Sequence, residues 1–438
     1  MTALSDDQRS LGSFSGLRGR HLLDRLAPFD TWRRDHARNH RWGYHQQMLT
    51  RPVTWRPRVR DQGRGEHSGV SLISQDYLAL STHPAVREAI LEALDVYGPH
   101  SAGSPAAAGT TVPAQQLCEQ LAELLGMREV VLFPSGWAAG FGAVNAFVRR
   151  GDHVIVDELS HACLHEGIAA SRSRDVIRVP HLDNDAVREA LRDIRRKDAD
   201  NGILVITESL FSMNSDTPDL RRLQELCREH DAVLLVDQAH DIGAMGPGGL
   251  GQAAAQGVRG DLDIVVGAFS KVFATNGGYL ATNSEAVAQY VRHFSSPHMF
   301  SSALTPLQAA GALAAAKIVT SPEGQRRRDD VLRNSHVLRD GLTGTAGAVV
   351  LGEPSPIVPL EVDSISAGRR ALRLAEEAGV LLHLVEFPIV ARGRARFRLQ
   401  LSSAHEPDDL ADAAKVLVEA VEAAHAPSKM TTTERNHS

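Results

Sequence analysis

The chain is poor in cysteine, with three in 438 residues. An odd and small number cannot build a disulfide framework, and a reducing cytoplasm fits it best. It also lacks a basic excess: Lys and Arg total 47 against 53 Asp and Glu, a formal net charge of −6. That balance argues against a protein made mainly to hold nucleic acid. No stretch reaches the roughly 18 apolar residues that span a bilayer. The opening MTALSDDQRSLGSFSGLRGR has no apolar core of signal-peptide length. What the chain does have is 43% apolar and 23% charged residues, enough for a large core. Its length fits roughly three units of ordinary size.

Four segments are expected. Residues 1–65 form a polar arm rich in Arg, His and Trp, with helical spacing and interleaved aromatics (Phe29, Trp32, Trp42, Tyr44) over 22–48 and an extended connector over 51–65. This arm reads as a solvated segment with a docking helix, or as a subunit clasp. From 66 to 325, short Val- and Ile-rich runs (69–73, 130–133, 153–156, 176–179, 203–206, 233–236, 264–266, 279–281) alternate with amphipathic stretches. Such alternation predicts an α/β unit with a mostly parallel sheet covered on both faces. From 326 to 426 helical stretches alternate with runs at 349–351, 357–360, 381–384 and 397–401, the pattern of a smaller α+β domain. The polar tail 427–438 is expected to be disordered.

Parallel sheets gather ligands at the carboxyl ends of their strands, and four such ends carry reactive residue types. Ser135-Gly136-Trp137 enters a helix, where free backbone N–H groups and the helix dipole favour an anion. His161 and His165 share a helix face, but the HExxH order and a third ligand are missing, so no metal site is expected. Asp237 ends an apolar run and must be paired. Lys271 follows another run beside Phe273, where desolvation would lower its pKa and make it a better nucleophile. Each signal has a plainer reading: a helix entry, a packing histidine, a structural salt bridge, a snorkelling lysine. Taken together they suit pyridoxal 5′-phosphate, which needs a phosphate site, a stacking ring, a carboxylate for its pyridine nitrogen and an amine for its aldehyde. The run Gly246–Gly251 joins no strand directly to a helix and reads as a loop.

The motifs SQDYLAL (74–80), FPSGWAAG (133–140), DELSHACLHEG (157–167), TESLFSMNSD (207–216), VDQAHDIGAMGPGGLG (236–251) and AFSKVFATNGGYL (268–280) occur in that order. They resemble the α-oxoamine synthases, a branch of the fold-type I pyridoxal-phosphate transferases, over about 70–425. The details DYLAL, SGW and HEG look closest to the branch making the cholera autoinducer aminoketone. The resemblance implies that Lys271 binds the cofactor's aldehyde and moves protons at the substrate Cα. It implies that Asp237 pairs with the pyridine nitrogen, His240 bonds the ring hydroxyl and His161 stacks on the ring. Ser135, Gly136, Trp137, Glu208, Ser212 and Ser270 are implied near the cofactor. Ser301 and Ser302 match a segment that reaches the neighbouring subunit's phosphate, which implies a homodimer with shared active sites.

Some positions depart from the family pattern. Gln75 stands where Asn is common, and Asn214-Ser215 where Asp-Gly is common. Ala268 stands where many members have a phosphate-binding Thr, and Glu386 where some have a carboxylate-binding Arg. Arg398 keeps the other arginine used by the family, so it is expected to grip the amino-acid carboxylate. Gln75 and Glu386 are expected beside the substrate, Glu386 selecting a basic or hydroxyl group. The implied reaction is a decarboxylative Claisen-type condensation of an α-amino acid with an acyl thioester, borne by coenzyme A or a carrier protein, giving an α-aminoketone. Transamination, retro-aldol cleavage and a silent scaffold subunit are the alternatives. No nucleic acid, membrane or metal partner is expected.

Overall fold

The computed structural model describes residues 9–38, 47–61, 65–173 and 175–426. Its centre is a seven-stranded sheet made of β1 (Glu129–Phe133), β2 (His153–Asp157), β3 (Asp175–Val179), β4 (Ile203–Glu208), β5 (Val233–Asp237), β6 (Ile264–Ala268) and β7 (Gly278–Thr282). The spatial order is β1-β7-β6-β5-β4-β2-β3. Strands β6 to β3 run parallel. Strand β7 runs antiparallel to both β6 and β1.

The runs are near-continuously apolar because both faces of the sheet are covered. Successive residues nonetheless alternate between two cores, as the pleat requires. Ile155, Val205, Leu234 and Val236 point into one. Val154, Val156, Leu204 and Leu235 point into the other, against α2 (Gly136–Phe147) and α3 (Ala162–Ser171). An earlier helix, α1 (Ala27–Arg38), belongs to the N-terminal segment. The Ala-rich helix α4 (Pro306–Val319) is buried along most of its length in the first core. Burying each Val, Leu or Ile side chain contributes about 1.5–3 kcal/mol.

A second core lies on a four-stranded antiparallel sheet, ordered β8-β9-β11-β10. Its strands are β8 (Ala348–Val350), β9 (Ile357–Val362), β10 (Leu384–Val385) and β11 (Ala395–Gln400). Helices α5 (Ile365–Glu377) and α6 (Pro407–His425) pack on it.

Three expectations change. The run 69–73 does not enter the large sheet: Val70–Ser71 pairs in parallel with Val380–Leu381. That pairing also divides the run 381–384, whose later part becomes β10. The connector 51–65 is not a simple extended strap, because Met48–Leu49, Arg58–Asp61 and Gly65–Ser68 form a small antiparallel sheet. Arg58 and Arg60 flank Glu66 there, at 3.7 and 3.8 Å, so the alternating basic residues find their partner within the segment. The helix expected over 22–48 is confined to α1 where it is described. Trp42, Tyr44 and the tail 427–438 lie outside the described residues.

Candidate active site

The carboxyl ends of β4, β5 and β6 meet the amino ends of α2 and α3. Asp237 is the last residue of β5, and its Oδ1 accepts the Ala239 N–H at 2.9 Å. Glu208 ends β4 and is buried. Burial, reinforced by the neighbouring Asp237 charge, pushes its carboxyl well above the usual range. Lys271 stands on the short connection between β6 and β7. Desolvation lowers the pKa of its amine, against the opposing pull of Asp237. His161 caps α3, its Nδ1 accepting the Cys163 N–H at 3.3 Å. Burial lowers its pKa too, while Asp237, Lys271 and Arg398 all lie within electrostatic reach.

The amino end of α2 comes close because no side chains keep it away. A Cβ on Gly136 would overlap Ala268 at the end of β6, and a Cβ on Gly278 would meet the Ser135 carbonyl at 2.6 Å. Ser135 caps the helix, its Oγ accepting the Ala138 N–H at 3.1 Å. The Gly136 and Trp137 N–H groups open the helix and stand outside its ladder. Ala268, where the family often has Thr, here makes the close packing under Gly136.

His240 and Arg398 meet behind this cluster, and both are buried. Arg398, on β11, lies with its Nη2 3.3 Å from His240 Nε2. A guanidinium only donates, so Nε2 accepts and the neutral imidazole carries its proton on Nδ1. Burial, with Lys271 and Arg398 nearby, holds the His240 pKa well below its ordinary value. Nδ1–H then donates to the Tyr77 hydroxyl at 2.8 Å. Tyr77 is fully buried, and its own pKa is pushed up to about 12 by desolvation. Its proton points to Gln400 Oε1 at 3.5 Å, and Gln400 Nε2 donates to the Ile73 carbonyl at 3.0 Å. Arg398 Nε has no hydrogen-bond partner among the described residues, and no carboxylate there pairs with the guanidinium.

The other expected residues fall elsewhere or are engaged locally. Ser212, Ser270 and Ser302 make no side-chain hydrogen bond among the described residues, and Ser301 donates to the Pro297 carbonyl. Gln75 is half-buried, its carbonyl accepting the Tyr77 N–H at 2.9 Å. Trp137 is 43% exposed and stacks on Phe141. Glu386 departs most from expectation: each of its oxygens is held by Arg369 at 2.7 Å, so the carboxylate is engaged in a buried pair within the protein.

Two features escaped the sequence. Tyr77 sits inside DYLAL, but its partner lies 163 residues away. Ser215 adopts φ +59°, a conformation that favours glycine. It is fully buried, donates to the Glu353 carbonyl at 2.8 Å and meets Ser355 at 2.7 Å. Its neighbour Asn214 accepts from Arg396 at 2.5 Å. The Asn-Ser departure therefore fastens this turn to the smaller sheet, a contact that local sequence does not display.

The chemistry of these groups can be matched to pyridoxal phosphate. An amine with a lowered pKa, a carboxylate at a strand end, a neutral imidazole at a helix cap and a helix amino end all gather at the carboxyl ends of β4, β5 and β6. The residues fit the group. A family model described as aminotransferase class I and II matches residues 68–417. The chain is 36% identical over 346 residues to 8-amino-7-oxononanoate synthase of Geobacter metallireducens, covering 79% of this chain and 87% of that protein. It is 35% identical over 340 residues to the enzyme of the same name from Klebsiella pneumoniae, covering 77% and 85%.

The chain belongs to the α-oxoamine synthase family. The solved structure of Sphingomonas wittichii serine palmitoyltransferase superposes with a TM-score of 0.85 at 25% identity, covering 92% of this chain and 99% of that one. This α-oxoamine synthase is a pyridoxal-phosphate-dependent acyltransferase that condenses an α-amino acid with an acyl thioester. Among the described residues no helix is long and apolar enough to cross a membrane, and no group of side chains is arranged to hold a metal ion.

Proposed function

We propose that Lys271, Asp237, His161, His240 and Arg398 carry this condensation. The observation that supports the reading best is the convergence of a desolvated lysine, a strand-end carboxylate and a buried arginine without a carboxylate partner. Bound pyridoxal phosphate supplies an electron sink for negative charge developed at the amino acid's Cα. Asp237 holds the proton on the pyridine nitrogen, which that sink requires. His161, at the cap of α3, would stack on the ring. Gly136 and Trp137 offer backbone N–H groups to the phosphate, with Ser135, Ser212 and Ser270 near it.

Arg398 grips the carboxylate of the amino acid through a forked, charge-assisted pair. That grip satisfies its orphaned Nε and orients Cα–H toward Lys271. The depressed pKa of Lys271 lets its amine take the Cα proton and return it after carbon dioxide leaves. The new carbon–carbon bond forms between Cα and the thioester carbonyl carbon as the carbon–sulfur bond breaks, and the thiolate leaves and takes its proton from solvent.

In this reading residues 66–325 hold the cofactor, 326–426 supply Arg398, and the working unit is a cytoplasmic homodimer. Phe300 is 85% exposed beside Ser301 and Ser302, an apolar face suited to a second copy. The decisive experiment incubates the cofactor-loaded enzyme with a panel of amino acids and acyl thioesters, those of coenzyme A and of a carrier protein. Formation of an α-aminoketone with release of carbon dioxide and thiol is expected. A free keto acid or an aldehyde as sole product would replace this reading with transamination or retro-aldol cleavage.

A further inference from the structure

Residues 9–38 precede the segment matched by the family model, and the reaction above gives them no task. Among the described residues they meet the turn 386–394 between β10 and β11 and, beneath it, Arg369 of α5. The Gly12 N–H donates to the Phe387 carbonyl at 3.2 Å. Gly12 lies so close that a Cβ there would overlap the Phe387 ring and meet Pro388 Cδ at 3.2 Å. Arg392 covers that ring, its guanidinium carbon 3.8 Å from the centroid.

Beneath the turn, Glu386 and Arg369 of α5 form a forked ion pair with both side chains buried. The same guanidinium donates to the Arg9 carbonyl at 2.6 Å and lies 3.4 Å from His36 Nε2. It also stands 6.0 Å from the ring of Trp32. Trp32 is itself packed by Phe14 at 4.9 Å. One arginine thus joins the helix α5, the turn and the N-terminal segment.

The turn leads directly to Arg398. Strand β10 is paired in register Leu384↔Phe397 and Val385↔Arg396, and the Arg398 N–H donates to the His383 carbonyl at 3.3 Å. Residues 391–394 are exposed, so the solvent side of the turn adds no support. A shift of the turn would therefore be passed along the two-strand ladder to the guanidinium.

We propose that the N-terminal segment is a clasp that fixes the turn 386–394 and thereby sets the position of Arg398. Gly12, Arg369 and Glu386 are positioning residues for amino-acid binding. The inference rests on the assignment of Arg398 to the amino-acid carboxylate.

The test uses the full-length holoenzyme and three variants: Gly12→Val, Arg369→Lys and Arg398→Ala. Two quantities are read, the amino-acid Kd from the absorbance change of the bound cofactor and the hydrogen exchange of backbone amides in 386–394. Gly12→Val is expected to weaken amino-acid binding by about five- to tenfold, less than the roughly hundredfold that a 1 Å misplacement can cost. Exchange in 386–394 should quicken, while the absorbance of the bound cofactor before amino acid is added stays as in the parent. Arg369→Lys keeps the charge but loses the fork, and should act in the same direction should Gly12→Val fail to fold. Unchanged Kd and unchanged exchange in a folded variant would overturn the clasp. Unchanged Kd in Arg398→Ala would instead remove the assignment of Arg398, and the exchange measurement would still decide whether the segment holds the turn.

Discussion

Two histidines in this molecule sit in opposite electrical settings. His240 is buried between a phenol and a guanidinium, and its pKa is held well below the ordinary value. His181 lies between two carboxylates, with Nδ1 donating to Asp157 at 3.0 Å and Nε2 to Asp216 at 3.0 Å. Burial alone would lower its pKa, but Asp157 and Asp216 raise it to about 9. One ring is a neutral acceptor that faces a cation; the other is a cation that satisfies two anions. Histidine is near its switching point in water, so burial and the neighbouring charges together decide. The neutral ring lies beside Arg398, among the residues proposed to carry the reaction. The charged ring ties the end of β2 to the turn that carries Asn214 and Ser215, and so belongs to the frame.

The strongest way to break this contrast is to remove the amine beside the neutral ring. Lys271→Ala is expected to slow aminoketone formation about a thousandfold or more, with a urea midpoint close to the parent's. A variant that kept its rate would move the chemistry away from the neutral cluster. The charged ring is probed by pH. Its folded pKa of about 9 exceeds the unfolded value of about 6.5. The stabilisation is therefore fully present below pH 6.5 and is lost as pH rises through 9. Its size is about 3 kcal/mol, read as a fall in unfolding free energy across that window. In His181→Gln the fall should largely vanish, and a His181→Gln profile identical to the parent's would make the ring a bystander. The gentlest probe is Tyr77→Phe, which removes the acceptor of the His240 proton. It should cost about 1 kcal/mol of stability and shift the pH profile of the reaction, because the imidazole tautomer is no longer fixed. An unmoved profile would leave Tyr77 a packing residue only.

The strand ends were legible because the sequence marks them twice, by an apolar run and by the polar residue that stops it. Asp237 is marked in that way, and Lys271, His161 and Ser135 follow their runs within a few residues. The large sheet was legible for the same reason, its runs matching the strands to within a residue or two. What stayed hidden depends on contacts between distant segments. The partner of Tyr77, the hydrogen bonds that permit Ser215 its left-handed backbone and the capture of Glu386 by Arg369 all join segments that share no local pattern. The run 69–73 was misplaced because four or five apolar residues declare a strand without declaring its neighbour. The strap 51–65 was misread because its alternating charges look solvated until Glu66 is set between Arg58 and Arg60.

The antiparallel strand β7 has a consequence for the order of events during synthesis. Strand β1 has no neighbour in the sheet except β7, and roughly 150 residues must be made between them. At ordinary elongation rates that is on the order of ten seconds in which β1 waits unpaired. The β6–β7 pairing is local and forms quickly once made, carrying Lys271 on its connection. Gly278 and Ala268 lie against Gly136 only with that hairpin docked on β1, so the amino end of α2 and the connection that carries Lys271 depend on the same pairing. A nascent chain halted before β7 would hold every strand of the parallel block and still lack the strand that joins β1 to it.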